Sequence, residues 1–236
     1  MGSLGNRRQG WRGVKQQNII YTMTISRHYP QPSLDAETSP SSNGIDGIEQ
    51  PLSVDKYHEL IRAGILPEDN SMELLEGRLV QKMTKNPPHR LATGLLHEAL
   101  QKVVPDGWFV DSQELVTLSD GEPEPDGIVV RGERRHYKDR HPGPTDLALV
   151  VEVADSSLEW DRTEKKRSYA RAGISVYWIV NLCDGQLEVY TEPSGPTMPP
   201  EEPSYRREII YGPEQMAPVV IEGKEAAQLA VRDFLP

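Results

Sequence analysis

The sequence predicts an α/β (α+β) fold in which one mixed central β-sheet is flanked by helices. Three observations favour this fold. The predicted elements follow the order helix, hairpin, helix, strands, helix, strands. Residues 147–153 are nearly all apolar, as expected for a strand that is covered on both faces. Residues 88–104 carry leucine, alanine and valine at helical spacing.

The N-terminal part of the chain predicts a tail, a helix and a hairpin. Residues 1–50 are rich in Gly, Ser, Asn, Gln and Pro without a sustained period, which is typical of a disordered or weakly ordered tail. Ser53 is a good N-cap for a helix that runs to about Ala63. Residues 72–83 predict a hairpin, because two apolar runs flank the tight turn Glu76-Gly77.

The rest of the chain predicts two more helices and a series of strands. Pro105-Asp106-Gly107 ends the helix over 88–104, and Gly173 ends a second helix over 161–172. The Pro-rich segment 193–203 is either a connector or a loop over the site. The predicted strands lie between turn signals and cover 108–118, 128–130, 147–153, 176–182, 187–190, 205–211 and 219–221.

The formal net charge of −10 is unevenly distributed. Residues 1–34 contain five basic residues and no acidic one, so the remainder holds 21 basic and 36 acidic residues. This balance beyond residue 34 counts against a high-affinity, non-specific nucleic-acid binder, since phosphate binding depends on Lys and Arg. It does not exclude a nuclease, because acidic metal ligands add negative charge that bound cations offset.

Cysteine content and hydropathy indicate the compartment. Cys183 is the single cysteine, so no intramolecular disulfide can form, and a cytoplasmic location is expected. No apolar stretch approaches the roughly 20 residues of a membrane helix. The acid-free start could instead be an organelle transit segment, and Met23 is an alternative start of the chain.

Two carboxylates are the first candidates for chemistry. Glu152 interrupts an otherwise apolar strand, and a buried carboxylate must be neutralised, paired or metal-bound. Asp126 stands in a Pro-Asp-Gly sequence, which by itself is typical of a turn. At adjacent strand ends the two carboxylates can converge on one Mg²⁺, with the carbonyl of Val153 as a further ligand. The alternative is a structural ion pair of Glu152 with Lys165 or Arg167.

Three further residues are candidates. Lys165 follows Asp161 by one helical turn, which is usually a solvated surface pair. Alternatively, Lys165 points into the cleft, where it orients a water and stabilises charge on a phosphate. Glu73 in the first hairpin strand and His89 in the first turn of the second helix are weaker candidates, and an ordinary surface role is the alternative for each.

These motifs together carry a family resemblance. In order they are Met72-Glu73-Leu74-Leu75-Glu76-Gly77, His89, Pro125-Asp126, Val150-Val151-Glu152-Val153, Asp161-x-x-x-Lys165 and Tyr169-Ala170-x-x-Gly173-Ile174-x-x-Tyr177-Trp178. From about Pro51 to the C-terminus, the chain resembles the Uma-type family of restriction endonucleases within the PD-(D/E)XK nuclease superfamily.

The resemblance implies a restriction-endonuclease-like core that hydrolyses DNA phosphodiester bonds with Mg²⁺ or Mn²⁺. By motif position, Asp126, Glu152 and Glu73 would bind the metal. Lys165 would be the catalytic lysine, moved from the strand onto the helix. His89 would contact phosphate or a ligand carboxylate.

One departure from the motif bears on these roles. Position 154 is Ala, where the plain D/E-x-K pattern has its lysine. The catalytic assignment therefore depends on Lys165 or, as the alternative, Lys166.

Other functions stay open at this stage. The departure at Ala154 and the acidic balance favour a catalytically silent DNA- or partner-binding protein on the same fold. A hydrolase for a non-nucleic phosphate is disfavoured, because no Walker-type Gly-rich loop is present. Cleaving both strands of a duplex at once needs two sites, which favours a homodimer, although the sequence contains no interface signal.

Overall fold

The computed structural model describes residues 20–21, 51–66 and 71–236. Its strands are β1 (Ile20–Tyr21), β2 (Met72–Leu75), β3 (Arg78–Gln81), β4 (Trp108–Asp111), β5 (Gly127–Arg131), β6 (Leu147–Ala154), β7 (Val176–Asn181), β8 (Gln186–Pro193), β9 (Tyr205–Tyr211), β10 (Met216–Ile221) and β11 (Lys224–Ala230). Its helices are α1 (Val54–Arg62), α2 (Pro87–Gln101), α3 (Leu158–Trp160) and α4 (Lys166–Arg171), and a π-helical turn (Asp161–Lys165) joins α3 to α4. Short 3₁₀ turns lie at Arg134–Tyr137, Pro144–Asp146 and Val231–Phe234.

A six-stranded mixed sheet in the order β4-β5-β6-β7-β8-β9 forms the centre of the described residues. Strands β6 and β7 are parallel, and every other neighbouring pair in this sheet is antiparallel. The parallel pair needs a crossover connection, which the α3–π–α4 segment supplies. The mixed α+β fold predicted from the sequence is confirmed.

Strand β6 lies at the middle of this sheet, and all eight of its residues are buried. Alternate side chains enter two different apolar cores. Leu149, Val151 and Val153 join the core beneath α2 and β10–β11. Val150 and Ala154 join the core that includes Tyr169 of α4. Because side chains alternate along a strand, Glu152 lies on the face that α4 covers.

The hairpin β2–β3 and the helices α1 and α2 form where the sequence predicts them, although β3 ends at Gln81 and not at 83, and α2 ends at Gln101 and not at 104. The helix predicted over 161–172 is divided into the π turn and α4. The side chain of Ser53 accepts a hydrogen bond from the Lys56 amide at the start of α1, which ends before Gly64. At the hairpin turn, Glu76 and Gly77 both have positive φ, as a two-residue turn of this type requires.

Two sequence predictions of strands differ most from the structure, while β8 and β10 are longer than the predicted 187–190 and 219–221. β4 ends at Asp111 instead of continuing to Leu118, because Gln113 has a positive φ of 58° and the chain turns there. The following segment hydrogen-bonds to 121–125 and buries Val116 and Leu118. β11 was not predicted, since its sequence Lys-Glu-Ala-Ala-Gln-Leu-Ala lacks β-branched residues; its pairing with β10 forms it.

The N-terminal region contributes one short strand. β1 pairs antiparallel with β3, with Ile20 opposite Val80. The other residues of the segment 1–50 lie outside the described residues, so the predicted tail stays a prediction. Within the described ranges, no helix combines the length and apolar character needed to cross a bilayer.

Candidate active site

Five elements meet at one pocket of about 80 Å³. They are the hairpin β2–β3, the loop before α2, the start of β5, the end of β6 and the π turn. The titratable side chains that line the pocket are Glu73, Lys82, Lys85, His89, Glu124, Asp126, Glu152, Asp155 and Lys165.

Asp126 and Glu152 are neighbours across two strands. Gly127 pairs with Val151 in antiparallel register, so the residues one position beyond that pair face each other. Both side chains are buried and line the pocket. The amide of Val153 donates a 2.9 Å hydrogen bond to Oδ2 of Asp126, which fixes this carboxylate against β6.

His89 is placed beside Asp126 by the start of α2. The side chain of Asn86 caps the helix by accepting from the His89 amide, and two prolines occupy the first helical positions. Nε2 of His89 then lies 3.1 Å from Oδ2 of Asp126. Burial raises the pKa of Asp126, but the hydrogen bond and charge of His89, together with Lys85 and the Val153 amide, outweigh burial and hold this pKa below its ordinary value. Asp126 therefore stays an anion.

Of the carboxyl groups of Asp126 and Glu152, that of Glu152 is the more easily protonated. Its Oε1 accepts hydrogen bonds from Tyr169 at 2.7 Å and from Lys165 at 3.2 Å. Burial and the nearby anions Asp126 and Glu73 raise the pKa of Glu152 to about 7, although Lys165 acts in the opposite direction. The raised pKa of Glu152 therefore reflects burial first and the neighbouring carboxylates second.

Lys165 is buried and does not form the solvated surface pair that its spacing from Asp161 suggests. Its ammonium donates to Oε2 of Glu73 at 3.0 Å and to Glu152. Burial lowers the pKa of Lys165, but the surrounding carboxylates outweigh it and hold the pKa above its ordinary value. The ammonium is therefore a permanent charge between two acidic side chains.

Lys165 is the last residue of the π turn. π-Helical turns are rare in proteins, but those that occur often lie at functional sites. Asp161 at its start is buried and accepts a 2.6 Å hydrogen bond from Ser157, while its carbonyl accepts from the Tyr177 hydroxyl at 3.0 Å. Burial, together with the charge of Glu152, raises the pKa of Asp161 well above its ordinary value.

The structure thus brings Glu73, His89, Asp126, Glu152 and Lys165 to one pocket, while their catalytic roles stay predictions. The two alternatives on α4 lie elsewhere. Lys166 stacks over the ring of Tyr190, with 4.8 Å from its ammonium to the ring centroid. Arg167 pairs with Glu76 at 2.6 Å in the hairpin turn.

Sequence reasoning missed three charged residues of the pocket. Lys82 pairs with Glu124, and Lys85 lies near both Glu124 and Asp126. The sequence carries one usable signal: Glu124 precedes Asp126 by two positions, so both can face the same side of an extended chain. The two lysines stand in a loop, whose conformation no periodicity reveals.

The carboxylates of this pocket can hold a divalent cation as an adjacent pair. Within the described ranges, no group of three or more His, Cys, Asp or Glu side chains that could hold a metal ion is found. Mg²⁺ does not need such a cage, because it is usually bound by one or two carboxylates and keeps several waters. The buried, adjacent carboxylates of Asp126 and Glu152 are a pair of this kind. The backbone of Val153 contacts Asp126 through its amide, and its carbonyl stays a predicted ligand.

Comparisons with known proteins agree with this architecture. The model of the Uma2 family, described as "Putative restriction endonuclease", matches residues 54–220. The chain belongs to the Uma2 family. A crystal structure of a "putative nuclease belonging to DUF820" from Anabaena variabilis is similar over 78% of this chain and 97% of that chain, with 16% identity and a TM-score of 0.54. At that identity the likeness concerns the fold alone. No curated protein matches the chain.

Proposed function

We propose that this Uma2-family protein hydrolyses phosphodiester bonds of DNA with the help of Mg²⁺ or Mn²⁺. The observation that carries the proposal is the position of Lys165. Ala154 cannot provide the ammonium that a D/E-x-K strand has two residues after its acid. Lys165 provides one from the π turn instead, 3.2 Å from Glu152. Membership of a family described as restriction endonucleases supports a nuclease-type function.

The protein's own side chains have distinct tasks in this proposal. Asp126 and Glu152 would hold the cation, and Glu73 could add a carboxylate oxygen. A bound divalent ion polarises a phosphate and lowers the pKa of a coordinated water. Lys165 remains protonated, so it would stabilise the charge that builds up on the phosphate and would not accept a proton.

Glu73 and His89 would position the side chains that act directly. Glu73 accepts hydrogen bonds at one oxygen from Lys165 and from the Glu124 amide, which orients the lysine. His89 contacts Asp126 and lines the pocket, where it could also reach a phosphate oxygen. Both are therefore expected to position the groups that act directly.

A cleavage assay tests the proposal. Purified protein would be incubated with supercoiled, linear and single-stranded DNA in Mn²⁺ or Mg²⁺. We expect Asp126→Asn, Glu152→Gln and Lys165→Met each to lose at least about a hundredfold in rate, as removal of one electrostatic group typically costs. Glu98→Gln, a surface change on α2, serves as a control. Equal cleavage by wild type and all three variants would refute the assignment.

A second candidate function has its own support. Glu73, Lys165 and Glu152 already form a hydrogen-bonded network among themselves, which would also suit a catalytically silent DNA- or partner-binding protein. A protein of this kind would bind DNA equally in EDTA and in Mn²⁺ and would cut none of the substrates.

A homodimer would suit cleavage of both strands, because a two-fold axis presents two equal sites to a duplex. Light scattering after size exclusion, with and without DNA, tests this part of the proposal. A monomer in both conditions would restrict the activity to nicking or to single strands.

A further inference from the structure

Lys85 lies at the mouth of the pocket and faces two acidic residues. Its Nζ is 3.4 Å from Oδ1 of Asp126 and 3.6 Å from Oε1 of Glu124. Of its side chain 28% is exposed, against 6% for Lys165. Among the cationic side chains that line this pocket in the described residues, Lys85 is the one most open to solvent.

The contacts of Lys85 are weaker than those of the other lysines in the pocket. Both of its ion pairs are longer than a good N–H···O hydrogen bond. Lys165, in contrast, donates at 3.0 Å to Glu73, and Lys82 is hydrogen-bonded to Glu124. A partly exposed ion pair without a close hydrogen bond stabilises little, so the ammonium of Lys85 can move at small cost.

The loop that carries Lys85 is fixed at both ends. Before it, Lys82 is bound to Glu124. After it, Asn86 donates to Asp155 and caps α2. The backbone of Lys85 therefore stays beside the pocket, and its flexible side chain can change partner without a rearrangement of the loop.

Asp126 has one oxygen that is already committed. Oδ2 accepts from the Val153 amide and contacts His89, whereas Oδ1 faces Lys85. A divalent cation bound by Asp126 would repel an ammonium at that distance. The two positive charges therefore compete for the same carboxylate.

We infer that Lys85 is an internal counter-ion of Asp126 that moves to a backbone phosphate of the substrate when a divalent cation binds. The inference rests on the proposed function, whose substrate it specifies further: the contact is to phosphate and is independent of base sequence. Lys85 thereby couples occupation of the acidic pair to binding of the nucleic-acid backbone.

Two measurements on Lys85→Met test this inference, with Lys85→Arg as the charge-retaining variant and Lys102→Met, just after α2, as the matched control. In calorimetric titration with Mn²⁺ and no DNA, we expect Lys85→Met to bind the ion about three- to tenfold more tightly than wild type, because its competitor is gone. Lys85→Arg and Lys102→Met should remain near wild type.

The second measurement is the salt dependence of DNA binding. A short random-sequence duplex with phosphorothioate linkages would be used in Mn²⁺, and a denaturing gel would verify that it stays intact. Loss of one phosphate contact reduces the slope of log K against log salt by about 0.9. We expect that reduction for Lys85→Met, and wild-type slopes for Lys85→Arg and Lys102→Met.

The outcomes separate this inference from the proposed function. Unchanged Mn²⁺ affinity or an unchanged slope in Lys85→Met, with a wild type that cleaves DNA, overturns the inference alone. If Lys85→Met shows both expected changes but the wild type never cleaves DNA, the role of Lys85 is supported and the proposed nuclease activity is refuted. A wild type that binds neither Mn²⁺ nor the duplex overturns both.

Discussion

The ammonium of Lys165 donates a hydrogen bond to Oε1 of Glu152, although the two residues belong to different elements, a π turn and the central strand β6. The side chains of both are nearly fully buried, with 6% and 7% exposed. Their pairing is the link between the stability of this fold and its proposed chemistry, because removing either partner leaves a charge in a low-dielectric interior.

The first prediction concerns this pair. Lys165→Met should lower the free energy of unfolding by about 3 kcal/mol, since it leaves the carboxylates of Glu73 and Glu152 without their shared cation. Urea denaturation at neutral pH measures it. The double variant Lys165→Met/Glu152→Gln should recover part of the loss, because one buried anion is then neutral.

If the double variant is destabilised by the full sum of the losses in Lys165→Met and Glu152→Gln, the two side chains act independently and their coupling energy is zero. Lys166→Met, one residue along, is the control, since Lys166 lies outside the pocket.

The second prediction concerns cation binding. A ligand at ten times its dissociation constant stabilises the folded state by about 1.4 kcal/mol. For a domain of this size, that corresponds to a rise of roughly 3–6 °C in Tm. We expect millimolar Mn²⁺ to produce such a rise in wild type and in Glu98→Gln, and almost none in Asp126→Asn or Glu152→Gln. A rise of the same size in all four proteins would place the ion elsewhere.

The third prediction concerns the pH dependence of the free energy of unfolding and a carboxylate outside the pocket. The carboxylate of Glu188 is fully buried on β8 and accepts hydrogen bonds from the Arg162 guanidinium, one of them 3.0 Å long. Burial raises the pKa of Glu188, but the bonds from Arg162 and Tyr190 outweigh it and hold the pKa below its ordinary 4.5. The unfolded chain therefore binds more protons near that pH, and stability falls as the pH drops through the folded pKa.

Glu188→Gln should consequently be destabilised at pH 7, and its stability should change less than that of wild type as the pH falls below about 4.5. Urea denaturation across the acid range measures both effects, with Glu98→Gln as the surface control. Parallel curves for wild type and Glu188→Gln would mean that this carboxylate does not contribute to acid sensitivity.

The fourth prediction concerns the turn of the hairpin that carries Glu73. Gly77 has a φ of +71°, and a Cβ at this position would lie 2.4 Å from Cβ of Pro51. Gly64 also has a positive φ, of +66°, but has no heavy atom within 4 Å of that point. Gly64→Ala should cost about 1 kcal/mol from backbone strain, and Gly77→Ala clearly more, because a clash adds to the strain.

Equal losses of stability in the two glycine variants would contradict the contact between the turn and Pro51. Denaturant unfolding gives the comparison directly, and a circular dichroism spectrum shows whether Gly77→Ala retains the fold.

Local signals in the sequence were sufficient for most elements. Ser53 and Gly64 bound α1, and Glu76-Gly77 forms the hairpin turn, because capping and turn conformations depend on a few neighbouring residues. Local signals did not predict the segment after Asp111, where a positive φ at Gln113 turns a β-like sequence away from the sheet. No neighbouring residue in the sequence indicates that turn.

The candidate site was predictable to a different degree at each residue. Glu152 was visible because a carboxylate in an apolar strand needs a partner. The burial of Lys165 was not, since an Asp and a Lys one turn apart are equally compatible with a surface pair. Lys85 had no signal at all, because its contact with Asp126 joins a loop to a distant strand.

From periodicity, capping and turn signals, the sequence by itself predicted the mixed sheet with its flanking helices. Through the order of its motifs and the family resemblance that they carry, it also predicted five candidate residues that the structure brings to the pocket. Only the tertiary structure decided that the sheet places Asp126 beside Glu152, that Lys165 lies between Glu73 and Glu152, and that Lys85 lies beside Asp126. Those relations depend on strand register and on long-range packing, which bring together residues that have no local influence on one another.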